Sequence, residues 1–259
     1  MKPRIAVHKF TSCDGCQLTF LNCEEELLAI VQAVEIAYFA EAGSELRPGP
    51  YDVAFVEGSI STPDEVEKIR KIRAESKFVV AIGACATAGG IQALRNGMSL
   101  EMVKAAVYPT PEVLDVLPSS TPHSAHIKVD LELQGCPISK AQLIQTVASL
   151  VAGRVPKLPG HSVCLECKRR GNLCVVVNDR LPCMGPVTRT GCGALCPTYR
   201  RGCYGCFGPS DDPQLEPFRW MLTDLGLSEE ARSMEFAKFN AYAEGFRKDS
   251  GLEPTTRSS

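Results

Sequence analysis

The side chains best able to do chemistry in this sequence are thiols. Of 259 residues, 13 are cysteine: Cys13, Cys16, Cys23, Cys85, Cys136, Cys164, Cys167, Cys174, Cys183, Cys192, Cys196, Cys203 and Cys206. A thiolate is a soft, anionic donor suited to iron and zinc, and two thiols close together let one loop grip a metal centre twice. Cys13 and Cys16, Cys164 and Cys167, and Cys203 and Cys206 each have the Cys-x-x-Cys spacing. Twelve of the 13 fall into three groups of four: Cys13, Cys16, Cys85 and Cys136; Cys164, Cys167, Cys174 and Cys183; Cys192, Cys196, Cys203 and Cys206. Four thiolates ligate one 4Fe-4S cluster or one structural zinc, and their number does not separate the two. A Cys-x-x-Cys behind a first strand is also the pattern of a thioredoxin-like redox pair. Against that reading, two distant cysteines belong with Cys13 and Cys16.

Other candidates are fewer. Cys23 is left over and reads as a small buried hydrophobe. His161, three residues before Cys164, is a possible competing ligand. Glu57 is the one acid placed near the first group, either orienting backbone there or simply solvated. Asp14-Gly15 supplies a tight turn between Cys13 and Cys16. Gly83, Gly89, Gly90 and Gly135 let backbone come close to a bound cluster and donate N–H groups. There is no catalytic triad and no phosphate-binding glycine loop.

The elements that must position these residues alternate. Ile5–His8, Val34–Phe39, Asp52–Val56, Phe78–Ile82 and Ile127–Leu131 read as strands. An apolar-periodic helix runs through Leu18, Leu21, Leu27, Leu28 and Val31. Thr62-Pro63-Asp64-Glu65 starts another, with a cap, a proline at the first position and then acids. Pro137 to Val151 reads as a third. Continuous apolar strands alternating with helices predict a doubly wound parallel sheet. The first four cysteines and Glu57 all follow the carboxyl ends of strands, where open α/β sheets gather their sites.

Beyond residue 152 the pattern changes. Gly153 to Gly160 is a linker, and residues 161–209 hold eight cysteines and seven glycines with little periodicity. A stretch so poor in apolar residues is expected to fold around metal. Residues 213–247 read as amphipathic helix, with Phe218, Met221, Leu222, Leu225, Phe236 and Phe239, and a structural role packing on a partner is expected. Residues 248–259 are polar and expected to fray. The organisation read here is a 1–155 α/β domain, a 156–209 cysteine-rich segment and a 210–259 helical tail.

Composition narrows the function classes. The chain is 44% hydrophobic and 22% charged, with a formal net charge of −2, so neither nucleic acid nor an anionic membrane is an expected partner. No apolar run is long enough to span a bilayer, and the N-terminus lacks the features of a signal peptide, so a cytoplasmic location is expected. In a reducing cytosol such cysteines bind metal more often than they pair as disulfides.

The motifs together resemble a known family. Thr11-Ser12-Cys13-Asp14-Gly15-Cys16-Gln17-Leu18, Val56-Glu57-Gly58-Ser59, Gly83-Ala84-Cys85-Ala86 with Gly89-Gly90, and Gly135-Cys136-Pro137 are similar to the small subunit of nickel–iron hydrogenases. Cys164-Leu165-Glu166-Cys167, the run from Pro182-Cys183 through Gly185-Pro186-Val187-Thr188-Arg189 to Gly191-Cys192, and Cys203-x-Gly205-Cys206 resemble the delta subunit of the cytoplasmic sulfhydrogenases. These belong to the NAD(P)-linked branch of soluble hydrogenases.

The resemblance implies a flavodoxin-like domain whose Cys13, Cys16, Cys85 and Cys136 hold a proximal 4Fe-4S cluster. It implies a distal 4Fe-4S cluster on Cys164, Cys167, Cys174 and Cys183, and a medial one on Cys192, Cys196, Cys203 and Cys206. Exported relatives carry a 3Fe-4S medial cluster with proline where Cys196 stands, and a histidine where Cys164 stands. It further implies a nickel–iron large subunit that splits hydrogen, with flavin/NAD(P)-binding and ferredoxin-like subunits as further partners. No catalytic residue is then expected in this chain. The competing readings are a zinc-stabilised adaptor without redox function and a cluster subunit of a quinone-reducing complex, whose fold is similar but which lacks the eight-cysteine extension.

Overall fold

The computed structural model describes residues 2–23, 26 and 32–252. Leu27, Leu28 and Val31 of the expected first helix, and residues 253–259, lie outside the described residues. The chain forms two compact units, one from residues 1–89 and 115–158, the other from 90–114 and 159–259.

The first unit is a five-stranded sheet of β1 (Arg4–Lys9), β2 (Glu35–Phe39), β3 (Tyr51–Glu57), β4 (Ser76–Ile82) and β5 (Leu131–Leu133), in the order β2-β1-β3-β4-β5. Every pairing is parallel. That is the strand order of flavodoxin-like doubly wound folds. The apolar runs of β3 and β4 suit it because both faces of a central parallel strand are covered. Val53, Phe55, Val80 and Ile82 bury on one face, with Phe20 and Leu143; Ala54, Val56, Val79 and Ala81 bury on the other, with Ile69 and Ile72.

Helices of this unit include α1 (Gly15–Leu21), α2 (Pro63–Ala74), α3 (Gly83–Ala88) and α5 (Lys140–Val151); α4 (Leu100–Val107) belongs to the other unit. α2 begins as its sequence predicts. Thr62 Oγ1 accepts the Glu65 N–H, and the Glu65 carboxylate accepts the Thr62 N–H, with Pro63 at the first position. This reciprocal capping satisfies two otherwise orphaned donors. α5 starts later than the apolar pattern suggests, at Lys140, where Ser139 Oγ accepts the Gln142 N–H. The fifth strand also differs from the expected Ile127–Leu131. The Asp130 carboxylate, not strand backbone, accepts the Val79 N–H at 2.8 Å, so regular pairing begins only at Leu131.

The second unit contains α4, α6 (Val163–Arg169), α7 (Val175–Asp179), α8 (Leu195–Thr198), α9 (Leu215–Asp224) and α10 (Glu229–Phe236). Its core bears out the structural role expected of the tail and shows what covers the buried face. Phe218, Leu222, Phe236 and Phe246 pack with Val163, Val175, Met184, Val187, Cys183 and Cys203 of the cysteine-rich stretch. The tail thus brings the large apolar side chains that the stretch lacks. Helix does not persist to residue 247, since residues 237–251 form bends and turns. Leu252 is buried with Ala93, Ala241 and Tyr242, so the stretch expected to fray is packed as far as that residue.

Candidate cluster-binding site

In the first unit the thiols converge at the carboxyl edge of the sheet. Cys13 and Cys16 follow β1, Cys85 sits in α3 directly behind β4, and Cys136 follows β5. The turn between Cys13 and Cys16 is made by Asp14, whose φ is 67°, while Gly15 already starts α1. The positive φ thus falls on the aspartate rather than on the glycine, a conformation Asp tolerates. Burial pushes the Cys16 thiol far above its usual range, and the Glu57 carboxylate and the Cys85 and Cys136 thiols add to this, against a hydrogen bond from the Ile138 backbone. Burial also raises Cys136, with Cys13 as its charged neighbour. Cys16 is therefore within electrostatic reach of Cys85 and Cys136, and Cys136 of Cys13.

Gly83 shows how closely this site is built. Its φ is +86°, and a Cβ there would lie 2.4 Å from Cys16 Sγ, so only glycine leaves the sulfur its place. Glu57 ends β3 and is 2% exposed, which rules out the solvated reading. Its Oε1 accepts the Cys16 N–H at 2.9 Å. Burial raises its carboxyl, and that hydrogen bond works in the opposite direction. Glu57 thus holds the backbone of a candidate ligand.

The second unit gathers two further sets. Burial lifts Cys164 to about 11, with Cys183, Cys167 and Cys174 as the next contributors. Cys183 is raised by burial and by Cys174 and Cys167, while N–H groups of Cys203 and Gly185 oppose the shift. A Cβ on Gly185 would stand 3.3 Å from Cys183 Sγ and 3.7 Å from Cys164 Sγ, so the glycine leaves open the space between two sulfurs. Cys192 is raised by burial, opposed by the Leu195 and Ala194 N–H groups, with Glu166 and Cys196 adding to the rise. Cys203 is raised by burial, opposed by the Gly205 N–H, with Cys183 and Cys206 adding. The Cys203 N–H donates to Cys183 Sγ at 3.2 Å, joining the second and third groups.

Glu166 has a role that its sequence context only hints at. Its Oε1 accepts the Gly191 N–H and its Oε2 the Ala194 N–H, each at 3.2 Å. One carboxylate on α6 thereby ties down the loop that carries Cys192. Ala194 is left-handed there, with φ 54°, a strain that the tie helps to hold. The signal in the sequence was an acid between two candidate ligands. His161 is exposed and directs Nδ1 toward the Ser162 carbonyl, at 3.2 Å. Cys23 is fully buried and donates to the Thr19 carbonyl at 3.2 Å, the small buried hydrophobe that its position suggested.

The donor set fits iron–sulfur clusters. Buried thiols stay protonated unless a cation displaces the proton, and burial raises Cys16, Cys136, Cys164, Cys183, Cys192 and Cys203. N–H groups point at their sulfurs, and glycines keep space open between them. Among the described residues no three His, Cys, Asp or Glu side chains close around a single metal ion. Also among them, no helix is long and apolar enough to cross a membrane.

Comparison with known proteins agrees with this geometry. Residues 13–150 match the family described as NADH ubiquinone oxidoreductase, 20 kDa subunit. Sulfhydrogenase 2 subunit delta of Pyrococcus furiosus is 35% identical over 88% of this chain and 95% of its own. A subunit of the F420-non-reducing hydrogenase of Methanococcus voltae is 30% identical over 82% of this chain and 84% of its own. A crystal structure of an NAD+-reducing [NiFe]-hydrogenase in the H2-reduced state includes a chain 28% identical, with a TM-score of 0.58, matched over 61% of this chain and 96% of that one. The family match ends near residue 150, whereas the matches to both relatives cover more than four-fifths of the chain. The chain belongs to the NADH ubiquinone oxidoreductase 20 kDa subunit family and, within it, to the hydrogenase small subunits, oxidoreductase components whose active site lies in a partner chain.

Proposed function

We propose that this chain is the cytoplasmic electron conduit of a nickel–iron hydrogenase with three 4Fe-4S clusters. Cys13, Cys16, Cys85 and Cys136 hold the proximal cluster, Cys192, Cys196, Cys203 and Cys206 the medial, and Cys164, Cys167, Cys174 and Cys183 the distal. When bound, the clusters supply one-electron transfer between the nickel–iron site of a large subunit and a flavin- and NAD(P)-linked partner. The chain's own residues bury Cys16, Cys183 and Cys203, half-bury most of the other thiols and aim backbone N–H groups at sulfur. Hydrogen bonding and burial of this kind set cluster potentials.

The observation that carries the reading is the grouping of thiols, with glycines leaving space beside Cys16 and Cys183 and backbone N–H groups donating to Cys183 and Cys203. The match to a chain of an NAD+-reducing [NiFe]-hydrogenase supports the nicotinamide-linked partner. Iron analysis of anaerobically purified protein tests it: about twelve irons per chain are expected, four for each cluster. Colourless protein carrying zinc would sink the reading. Stoichiometric iron with one centre lacking its fourth iron would correct only the cluster type.

A further inference from the structure

We propose that a cleft in the first unit, between β1, β2 and α2, is a binding site for a nucleoside 5′-monophosphate. The inference goes beyond the electron-conduit reading and does not rest on it.

The cleft has a volume of about 330 Å³, and no cysteine lines it. That volume lies at the lower end of the range for small-molecule sites, roughly 300–1,000 Å³. One wall is aromatic. His8 of β1 packs on Tyr38 of β2, with ring centroids 4.3 Å apart and planes 31° apart. Tyr51 of β3 meets the same imidazole edge-on at 5.6 Å. Tyr38 is half-buried, so part of its ring stays open for a planar base to stack on.

His8 is the residue that the fold alone leaves unexplained. Its side chain lines the cleft and is 5% exposed, and neither ring nitrogen has a hydrogen-bond partner among the described residues. Burying an imidazole without partners costs free energy that a ligand's hydrogen bonds would recover. Burial, with Lys68 adding to it, lowers His8 to about 4. The ring is therefore neutral at neutral pH and presents one N–H donor and one acceptor nitrogen. The edge of a nucleobase carries the complementary pair.

The facing wall supplies charge. Lys68, Lys71 and Ile72 of α2, with Glu75 just beyond its end, recur at helical spacing and line the cleft together. The Tyr51 N–H donates to the Glu75 carbonyl at 2.7 Å, which fixes the two walls against each other. Lys68 Nζ donates to the Lys9 carbonyl at 2.6 Å. Neither Lys68 nor Lys71 has a carboxylate within 4.0 Å among the described residues. Other charges nearby are already engaged. Arg4 and Arg47 share Glu35, Arg47 also reaches Glu45, and Lys9 pairs with Asp14 and Glu41. The Glu65 carboxylate accepts the Ser61 and Thr62 N–H groups and the Thr11 hydroxyl. Asp64 and Glu67, one turn before the two lysines, are exposed and unpaired with them. Two free ammonium groups suit a phosphate monoester, which carries about two negative charges at neutral pH. The Glu75 carboxylate, the one acid on the wall, is an acceptor for a ribose hydroxyl. Base, sugar and phosphate each find a complement in the one cleft.

The test uses the assembled hydrogenase, purified anaerobically through its large subunit, with NAD+ present to fill nucleotide sites of other subunits. Isothermal titration calorimetry compares adenosine 5′-monophosphate, uridine 5′-monophosphate, adenosine and inorganic phosphate. The proteins are the wild type, Lys71→Glu and His8→Phe, and native mass spectrometry checks that each assembles. At least one mononucleotide should bind at one site per chain, with adenosine and phosphate each weaker by about tenfold or more. Lys71→Glu, at the exposed rim, should weaken that binding about tenfold at low salt and less at high salt. His8→Phe keeps a ring in place but removes both nitrogens, and should weaken binding about tenfold as well.

No binding of either mononucleotide to the wild type overturns the proposal. So does binding that Lys71→Glu leaves intact, which would place the site elsewhere in the assembly. Inorganic phosphate held as tightly as the mononucleotides overturns it too, because the aromatic wall would then contribute nothing. If His8→Phe assembles and binds like the wild type, the imidazole has no ligand and the proposal fails. If His8→Phe does not assemble, Lys71→Glu decides.

Discussion

At the scale of single residues, Cys196 and Glu166 carry the sharpest expectations. Cys196 stands where exported relatives are read to carry proline, and its sulfur neighbours Cys192. If it supplies the fourth ligand of the medial cluster, Cys196→Pro should convert that centre to 3Fe-4S. Electron paramagnetic resonance of the oxidised variant should show a new signal, and the potential should rise. A spectrum indistinguishable from the wild type would remove Cys196 from the ligand set. Glu166 acts through others, as a positioning residue. Glu166→Ala leaves the Gly191 and Ala194 N–H groups without their partner, a cost of roughly 2 kcal/mol for two part-buried donors. Iron should then be lost faster to a chelator, and the medial potential should shift. Glu166→Gln keeps one oxygen acceptor and should recover much of the retention but not the potential, since the charge is gone. Equal potentials in Glu166→Gln and wild type would limit the residue to a structural role.

At the scale of elements, the cysteine-rich stretch depends on what it binds and on the tail. Within residues 161–209 the buried apolar side chains are few, and Phe218, Leu222, Phe236 and Phe246 complete their core. Limited proteolysis of iron-depleted protein should therefore cut first within 161–209, because little apolar burial remains there to offset chain entropy. Cleavage at equal rates with and without iron would contradict this. The same contrast explains what could be read from the sequence. β1 to β4 were legible because an apolar run in a covered sheet is a local signal, and α2 because its cap, proline and acids lie within four residues. β5 was misplaced because Asp130 satisfies the Val79 N–H through its side chain, a long-range substitution that no local pattern reports. The convergence of Cys13, Cys16, Cys85 and Cys136 followed from topology alone. The burial of Glu57 and the tie made by Glu166 did not, since each depends on which backbone N–H the fold brings to a carboxylate. The tail's packing was missed because an amphipathic helix shows that it has a buried face without showing what covers it.

At the scale of the whole molecule, each unit exposes one of its candidate ligands, Cys13 in the first and Cys174 in the second. A conduit needs such openings at its two ends. Cys85→Ser damages the proximal end and should depress hydrogen oxidation with every acceptor. Cys164→Ser damages the distal end and should mainly depress nicotinamide-linked turnover, while hydrogen–deuterium exchange, which needs only the large subunit's metal site, persists. Exchange abolished by Cys164→Ser in an intact assembly would reverse the order of the clusters. The path of the chain has a separate consequence for how such a protein can be shortened. Residues 90–114 leave the first unit to join the second, where Ala93 is fully buried against Ala241, Tyr242 and Leu252. A gene cut after Leu158 would remove that shelter and leave Ala93 uncovered in what remains. The second unit is thus no detachable appendix. A relative that dispenses with it must also rewrite a loop some fifty codons upstream, and truncation without that repair should yield an insoluble fragment.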